Sequence, residues 1–174
     1  MPRWQDLIRT IPDFPTPGVR FRDIMPMLAD AEAFVASIDA IADPWRGTVL
    51  DAVIGVESRG FILGAALARA LGTGFAPVRK AGKLPGQTLM LDYSLEYSHG
   101  QLEIHADALH PGARVILVDD VLATGGTLVA ALQLAQRQGA EVIGASVLFE
   151  LDEFRGRDYW HRHTGLPLLI ATDG

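Results

Sequence analysis

A strand that runs directly into two carboxylates and a glycine loop constrains this chain more than any other feature. The segment reads Val115-Ile-Leu-Val-Asp-Asp-Val-Leu-Ala-Thr-Gly-Gly-Thr127. Its branched apolar residues, Val115 to Val118, are typical of a strand buried on both faces, as in a parallel sheet. Beyond the loop, apolar residues return at helical spacing, at Leu128, Ala131, Leu132 and Ala135. The loop therefore lies at a helix N-terminus, where free main-chain N–H groups and the helix dipole bind phosphate well.

The carboxylates of Asp119 and Asp120 restrict the ligand further. Negative charge beside a phosphate is unfavourable unless the ligand also offers hydroxyl groups or a metal. A ribose 5-phosphate meets this condition, because its phosphate can lie in the loop while its 2- and 3-hydroxyls donate to the two carboxylates. The loop lacks both the Gly-Lys-[Ser/Thr] ending of a Walker A motif and a Gly-x-Gly-x-x-Gly pattern. The structural alternative is a pair of acids that caps a helix after a core strand.

The composition limits the classes of protein to which the chain can belong. Its 174 residues suit one domain, residues 1–174, with a substantial core. No apolar run reaches membrane-spanning length, and the first residues lack the apolar segment of a signal peptide. The absence of cysteine excludes disulfides and thiolate catalysis, and the net charge of −6 argues against a nucleic-acid-binding surface. We therefore expect a cytoplasmic protein that engages neither a membrane nor nucleic acid.

Strands and helices are predicted to alternate along most of the chain. This alternation indicates an α/β fold with a mostly parallel central sheet flanked by helices. The expected strands are Asp51–Val56, Gly74–Val78, Val115–Val118, Glu141–Phe149 and an edge strand at Pro167–Ala171. One expected helix begins at the N-cap Asp30 and buries Phe34, Val35, Ile38, Ile41 and Ala42; another spans Phe61–Leu71 and ends at Gly72. Ligands bind such sheets at the carboxyl ends of strands, where we expect Glu57–Gly60, Arg79–Lys83 and Asp119–Thr127 to meet.

Two segments lie outside this alternation. Trp4–Ile11 is predicted to be a short amphipathic helix, followed by a rigid proline-rich connection and an extended segment at Val19–Ile24. The long polar excursion Leu84–His105 is typical of a lid or binding loop, and Ser98–Gly100 is predicted to turn a hairpin within it.

The central segment resembles the signature with which type I phosphoribosyltransferases bind phosphoribosyl pyrophosphate (PRPP). Further motifs resemble the adenine phosphoribosyltransferase family and follow one another in that family's order from about Phe14 to Phe149. They are Phe14-Pro-Thr-Pro-Gly18 with Phe21-Arg-Asp-Ile24, Glu57-Ser-Arg-Gly-Phe61, Arg79-Lys-Ala-Gly-Lys-Leu-Pro85 and Tyr93-Ser-Leu-Glu-Tyr97. The resemblance implies that adenine and PRPP give AMP and pyrophosphate, with Mg²⁺, in purine salvage. It also implies a homodimer, an N-terminal hood (about residues 1–30) over the base and a mobile lid (about residues 84–105).

The resemblance implies a role for each residue that matches a family motif. Asp119 and Asp120 would hold the ribose, and Glu96 on the lid would be the general acid or base. The loop that would bind the 5-phosphate comprises Ala123, Thr124, Gly125, Gly126 and Thr127. Pyrophosphate would be bound by Ser58, Arg59, Arg79, Lys80 and Lys83, and adenine by Phe21, the main chain around Arg22, and Val121. Mg²⁺ would be held mainly by PRPP and water rather than by protein ligands.

Three alternatives remain open from the sequence. The cationic residues that would bind pyrophosphate also suit a solvated basic face. Hypoxanthine, guanine or xanthine can replace adenine as the acceptor, and Arg20, which stands where the family usually has an apolar residue, bears on that choice. A PRPP-binding regulator without catalysis is the alternative from a different class. The acidic charge and the Leu84–His105 segment favour the enzyme.

Overall fold

The computed structural model describes residues 3–95 and 98–173, and its strands form two sheets. The strands are β1 (Arg9–Pro12), β2 (Arg20–Asp23), β3 (Ala52–Val56), β4 (Gly74–Lys80), β5 (Thr88–Leu95), β6 (Ser98–His105), β7 (Arg114–Leu122), β8 (Glu141–Glu150) and β9 (Leu168–Ile170). The α-helices are α1 (Met25–Ala29), α2 (Ala31–Ala42), α3 (Arg59–Leu71), α4 (Gly126–Arg137) and α5 (Gly156–Thr164). Short 3-10 turns occur at Trp4–Leu7, Asp43–Trp45, Asp152–Phe154 and Ala171–Asp173. None of the helices in these described ranges is long and apolar enough to cross a membrane.

The larger sheet has the order β5-β6-β4-β3-β7-β8-β9. From β4 to β9 every neighbouring pair is parallel, whereas β6 pairs antiparallel with both β4 and β5. The prediction of an α/β fold with a mostly parallel central sheet is therefore confirmed.

The strand β7 lies at the centre of the core, and Val115 to Val118 are all fully buried. Val115 and Leu117 pack with α4 on one face, while Ile116 and Val118 pack with α2 and α3 on the other. An unbroken apolar run is therefore required here, because both faces of the strand are covered by helices.

The predicted helices form with small differences. Asp30 caps α2 as expected, and its Oδ1 accepts from Ala33 N at 2.9 Å. Gly72 ends α3 with φ of 70°. Val35, however, is 62% exposed and does not join the buried face of α2. The buried face is centred further round the helix, on Ala33, Ser37 and Ile41, which leaves Val35 at its margin.

The prediction of a helix over Trp4–Ile11 is wrong beyond Leu7. A 3-10 turn ends there, and β1 then pairs antiparallel with β2, which confirms the extended segment at Val19–Ile24. The main chain of β1 obtains its hydrogen bonds from a partner about ten residues further along, which local periodicity does not reveal. We call this two-stranded ribbon, β1 and β2 with their connection, the hood ribbon.

The segment Leu84–His105 begins irregularly and then forms a hairpin, as predicted, whose strands β5 and β6 join the main sheet. Strands β5 and β6 pair from Thr88 and His105 up to Leu95 and Ser98, so the predicted turn at Ser98–Gly100 is wrong. Leu91, Leu102 and Ile104 are buried, so the base of the hairpin belongs to the core. The tip, which contains Glu96, lies outside the described residues.

Candidate active site

The carboxyl ends of β3, β4 and β7 meet at one edge of the sheet. The three strands are neighbours, so the clusters Glu57–Gly60, Arg79–Lys83 and Asp119–Thr127 lie side by side as predicted. The end of β7 and the start of α3 approach closely at Gly60. A Cβ at Gly60 would lie 3.0 Å from Val118 O and 3.1 Å from Asp119 Oδ1. This small residue therefore gives Asp119 its room.

The acidic pair forms the last part of β7 and is largely withdrawn from water. Asp120 is only 3% exposed, and its Oδ2 lies 2.8 Å from Arg59 Nε. Asp119 Oδ1 accepts from the main-chain N–H of Asp120 at 2.8 Å. Burial raises the pKa of both carboxyls; the charge of Asp120 raises the pKa of Asp119 further, and Arg59 opposes both shifts. Two carboxyls held this close together and away from water are electrostatically unfavourable, so a ligand that donates hydrogen bonds to them would stabilise the pair.

The loop after β7 has the geometry of an anion site. Gly125 has φ of +82°, and a Cβ there would lie 2.8 Å from Gly156 O, so the start of α5 packs against the loop. Within the described residues no side chain caps α4 closely; Thr124 Oγ1 accepts from Gly126 N only at 3.5 Å. The first-turn N–H groups of α4 can therefore bind a phosphate.

A cavity of about 430 Å³ opens between the hood ribbon and the ends of β7 and β8. Its size falls within the range of about 300–1,000 Å³ that small-molecule sites occupy. Phe21, Arg22 and Arg59 line it, together with Val121 and Ala123 from beside the acidic pair and the loop. The cavity therefore reaches the phosphate-binding loop at Ala123 and lies next to the acidic pair, through Val121 and through Arg59, which contacts Asp120.

Two arginine guanidinium groups lie against phenylalanine rings in the wall of this cavity. The guanidinium of Arg59 lies 5.0 Å from the ring centroid of Phe21, and that of Arg22 lies 5.2 Å from Phe149. Phe14 packs edge-on against Phe21 with centroids 5.2 Å apart. Arg22 Nε is buried without a hydrogen-bond partner among the described residues. Planar, partly apolar walls of this kind suit a flat aromatic base.

The predicted pyrophosphate residues do not form one uniform group. The side chain of Arg79 is held by Glu57 Oε2 at 3.1 Å and by Lys83 O at 3.0 Å, so Arg79, at the end of β4 with Lys80, is tied to the turn that carries Lys83. Arg59 instead contacts Asp120 and Phe21, on the ribose and base side. Ser58 is exposed at the N-cap of α3.

Glu57 fixes the position of Arg79. Its carboxylate also accepts from Lys80 N at 3.1 Å. Burial alone would raise the pKa of Glu57, but the Lys80 N–H and Arg79 together hold that pKa below its usual value. Glu57 is therefore an ionised partner of the segment Arg79–Leu84, which we call the cationic loop.

The sequence reasoning missed part of the cavity wall and the support of the loop. Phe149, Leu151 and Phe154 line the cavity, and Gly156 packs against the phosphate-binding loop. A signal was present for Phe149, since it ends a predicted strand of the parallel sheet, where ligands bind, and Leu151 follows two residues later. No comparable signal marked Gly156, because its contact depends on how α5 folds back.

The histidines of α5 take no part in this site. His163 stacks on Tyr159 with ring centroids 4.0 Å apart, and its Nδ1 lies 2.8 Å from Tyr159 O. No group of three or more His, Asp or Glu residues that could hold a metal ion occurs within residues 3–95 and 98–173.

This sheet order, with a phosphate-binding loop after an acidic strand end and a hood over the adjoining cavity, defines a type I phosphoribosyltransferase. The family model for the phosphoribosyl transferase domain matches residues 25–164. Among curated proteins, adenine phosphoribosyltransferase from Xanthomonas axonopodis pv. citri (strain 306) is 60% identical over 168 residues, which are 97% of this chain and 89% of the relative. The chain belongs to the adenine phosphoribosyltransferase family.

Solved structures agree with this assignment. The crystal structure of adenine phosphoribosyltransferase from Rhodothermus marinus matches with a TM-score of 0.90 and 46% identity, covering 97% of this chain and 94% of that one. The enzyme from Saccharomyces cerevisiae, complexed with D-2,5-dideoxy-2,5-imino-altritol 1,6-bisphosphate and adenine, matches with a TM-score of 0.86 and 36% identity, covering 97% of both chains.

Proposed function

We propose that the protein transfers the phosphoribosyl group of PRPP to adenine, giving AMP and pyrophosphate, and so serves purine salvage. The observation that carries this proposal is that three features are neighbours. An apolar cavity for a flat base lies next to an acidic pair for a sugar, through Arg59, and the acidic pair is followed by a helix N-terminus for a phosphate. The yeast relative is complexed with adenine and a bisphosphate, which supports the same pair of ligand chemistries.

In this proposal each part of the site binds one part of the substrates. The loop residues Ala123 to Thr127 bind the 5-phosphate through main-chain N–H groups and the threonine hydroxyls. Val121 packs on one face of adenine, and Phe21 and the main chain around Arg22 contact it from the hood ribbon. Glu96, at the tip of the hairpin, handles the purine imidazole proton as general acid or base.

The acidic pair holds the ribose, which must compete with Arg59 because Arg59 already contacts Asp120. Asp119 and Asp120 accept from the ribose 2- and 3-hydroxyls, while Asp120 Oδ2 is already 2.8 Å from Arg59 Nε. The ribose therefore competes with Arg59 for this carboxylate. Release of the guanidinium leaves Arg59 free to turn toward pyrophosphate, alongside Ser58, Arg79, Lys80 and Lys83.

Magnesium fits this arrangement as a substrate-borne ion. Mg²⁺ commonly keeps several waters and binds one or two carboxylates together with substrate phosphates. The pyrophosphate oxygens and water would supply most of such a set, and no group of three or more His, Asp or Glu residues that could hold a metal occurs in the described part of the chain. When bound, the ion would neutralise charge that develops on the leaving pyrophosphate.

We further propose a single catalytic domain, residues 1–174, in the cytoplasm and assembled as a homodimer. The hood would comprise about residues 1–30 and the lid about residues 84–105. The hairpin β5–β6 would anchor the base of this lid in the core.

The proposal is tested by product analysis. The purified protein is incubated with PRPP, adenine and Mg²⁺, and AMP and pyrophosphate are quantified together. Equal amounts of AMP and pyrophosphate are expected, and neither should accumulate when adenine is left out. Release of pyrophosphate without AMP would reduce the activity to PRPP hydrolysis and overturn the proposal.

A further inference from the structure

A buried carboxylate lies directly beneath the cationic loop. Glu103 stands on β6, opposite Arg79 in the β4–β6 ladder, and is only 3% exposed. Its Oε1 accepts from Lys83 N at 2.7 Å and from Leu84 N at 2.8 Å, and its Oε2 lies 3.3 Å from Thr88 Oγ1. None of the steps described above uses this group.

The loop is shaped around that carboxylate as it would be around a bound anion. Consecutive main-chain N–H groups that converge on one point form a concavity that binds anions, and Gly82, with φ of 79°, allows the chain to close over it. Burial alone would raise the pKa of Glu103, but the N–H groups of Leu84, Lys83 and Gly82 and the Thr88 hydroxyl hold that pKa below its usual value. The concavity is therefore filled by an ionised side chain of the protein itself.

The contacts of Glu103 continue to the cations. Lys83, whose N–H donates to Glu103, accepts through its carbonyl from Arg79 Nη1 at 3.0 Å. Arg79 Nε is held in turn by Glu57, which also fixes Lys80 N. The loop is thus clamped by Glu57 on one side and by Glu103 on the other.

We propose that Glu103 is a positioning residue for pyrophosphate: its carboxylate holds the Arg79–Leu84 loop in the conformation that presents Arg79, Lys80 and Lys83 to PRPP. This inference rests on the proposed function. Because Glu103 belongs to β6, the same contact ties the cationic loop to the hairpin that carries the lid tip. Without Glu103 the main-chain N–H groups of Lys83 and Leu84 lose their acceptor, and Arg79, Lys80 and Lys83 are no longer held in one arrangement.

The test compares substitutions of Glu103 by two measurements. The first is the affinity for inorganic pyrophosphate with Mg²⁺, measured by titration calorimetry without turnover. The second is steady-state kinetics, with KM for PRPP, KM for adenine and kcat determined separately. E103A is expected to weaken pyrophosphate binding and raise KM for PRPP by about tenfold or more, because charge-assisted hydrogen bonds order the loop. KM for adenine should change by less than about threefold, since the base cavity lies on other elements.

Two conservative variants separate positioning from folding. E103Q keeps an oxygen that can accept from Lys83 N and Leu84 N but loses the charge, so it should recover part of the pyrophosphate affinity. E103D keeps the charge but is shorter by one methylene and cannot reach both N–H groups in the same way, so it should remain impaired. If E103A does not fold, the contrast between E103D and E103Q carries the test.

Asp51→Ala provides a matched control. Asp51 also accepts a main-chain N–H across strands, from Arg114 N at 2.7 Å, but at the opposite edge of the sheet from the cationic loop. D51A should lower the melting temperature without changing KM for PRPP.

The outcomes separate the inference from the proposed function. Wild-type pyrophosphate affinity in both E103A and E103D would overturn the inference. It would also be overturned if KM for PRPP, KM for adenine and kcat were all impaired to the same degree, in step with a lower melting temperature, because that pattern indicates a general loss of stability. A wild-type protein that gives no AMP, but whose pyrophosphate affinity falls in E103A as expected, would instead contradict the proposed function and leave the inference standing.

Discussion

At the scale of single residues, the acidic pair of Asp119 and Asp120 dominates the site, because two neighbouring carboxyls are held in largely buried positions. Their mutual repulsion is offset in part by Arg59 and by the N–H that Asp120 donates to Asp119. Such an arrangement is unfavourable for the folded protein alone and is typical of groups arranged for a ligand. Stability and substrate use should therefore respond in opposite directions when the pair is changed.

The pH dependence of stability tests this expectation. The pKa of Asp119 is raised by burial first and by the charge of Asp120 second. A carboxyl with a raised folded-state pKa stabilises the fold at pH values below its unfolded-state pKa, and that stability is lost as the pH rises through the folded-state pKa. Asp119→Asn removes this titration, so its melting temperature relative to the wild type should rise as the pH increases from about 4. A difference that does not vary with pH would contradict this explanation.

The same residues should be needed for PRPP. Asp119→Asn combined with Asp120→Asn is expected to cripple PRPP use while preserving the fold, since each lost charge-assisted hydrogen bond costs about 1.5–3 kcal/mol. The measurements are kcat/KM for PRPP and circular dichroism. A folded double variant with the wild-type kcat/KM would show that the pair is only structural.

At the scale of elements, the hairpin β5–β6 would form the base of the proposed lid. Its strands extend the main sheet, Leu91, Leu102 and Ile104 are buried, and Glu103 links β6 to the cationic loop. A lid of this kind can exclude water from the cavity without disturbing the sheet. The proposed acid or base, Glu96, is carried at the hairpin tip.

Glu96→Gln keeps the size and hydrogen-bonding capacity of the side chain but removes the base. The chemical step should slow by about 10²–10⁴-fold, whereas PRPP binding should barely change. Product release limits turnover in many enzymes with lids, so the rate is to be measured in a single turnover. An unchanged single-turnover rate would leave Glu96 as a lid residue without a catalytic role.

At the scale of the whole molecule, the sequence was most informative where one segment determines its own environment. The run Val115–Val118 correctly predicted a strand covered on both faces, and the following carboxylates and glycines correctly predicted where the three polar clusters meet. Contacts between segments that are distant along the chain could not be predicted from the sequence. The pairing of β1 with β2, the contact of Gly156 with the loop and the bond from Lys83 to Glu103 all depend on where separate elements meet. The roles assigned to individual site residues remain predictions.

The choice of base is the most direct test of the proposed transfer to adenine. The rate of PRPP consumption is to be measured with adenine, hypoxanthine, guanine and xanthine supplied separately, at equal concentrations and with Mg²⁺. Arg20→Val, which restores an apolar residue at the cavity, should be assayed in parallel, because the exposed Arg20 lines the cavity from the hood ribbon. The proposed activity predicts turnover with adenine far above that with any 6-oxopurine, in both proteins. An equal or greater rate of the wild type with hypoxanthine, guanine or xanthine would contradict it, and loss of that rate in Arg20→Val would identify Arg20 as the cause.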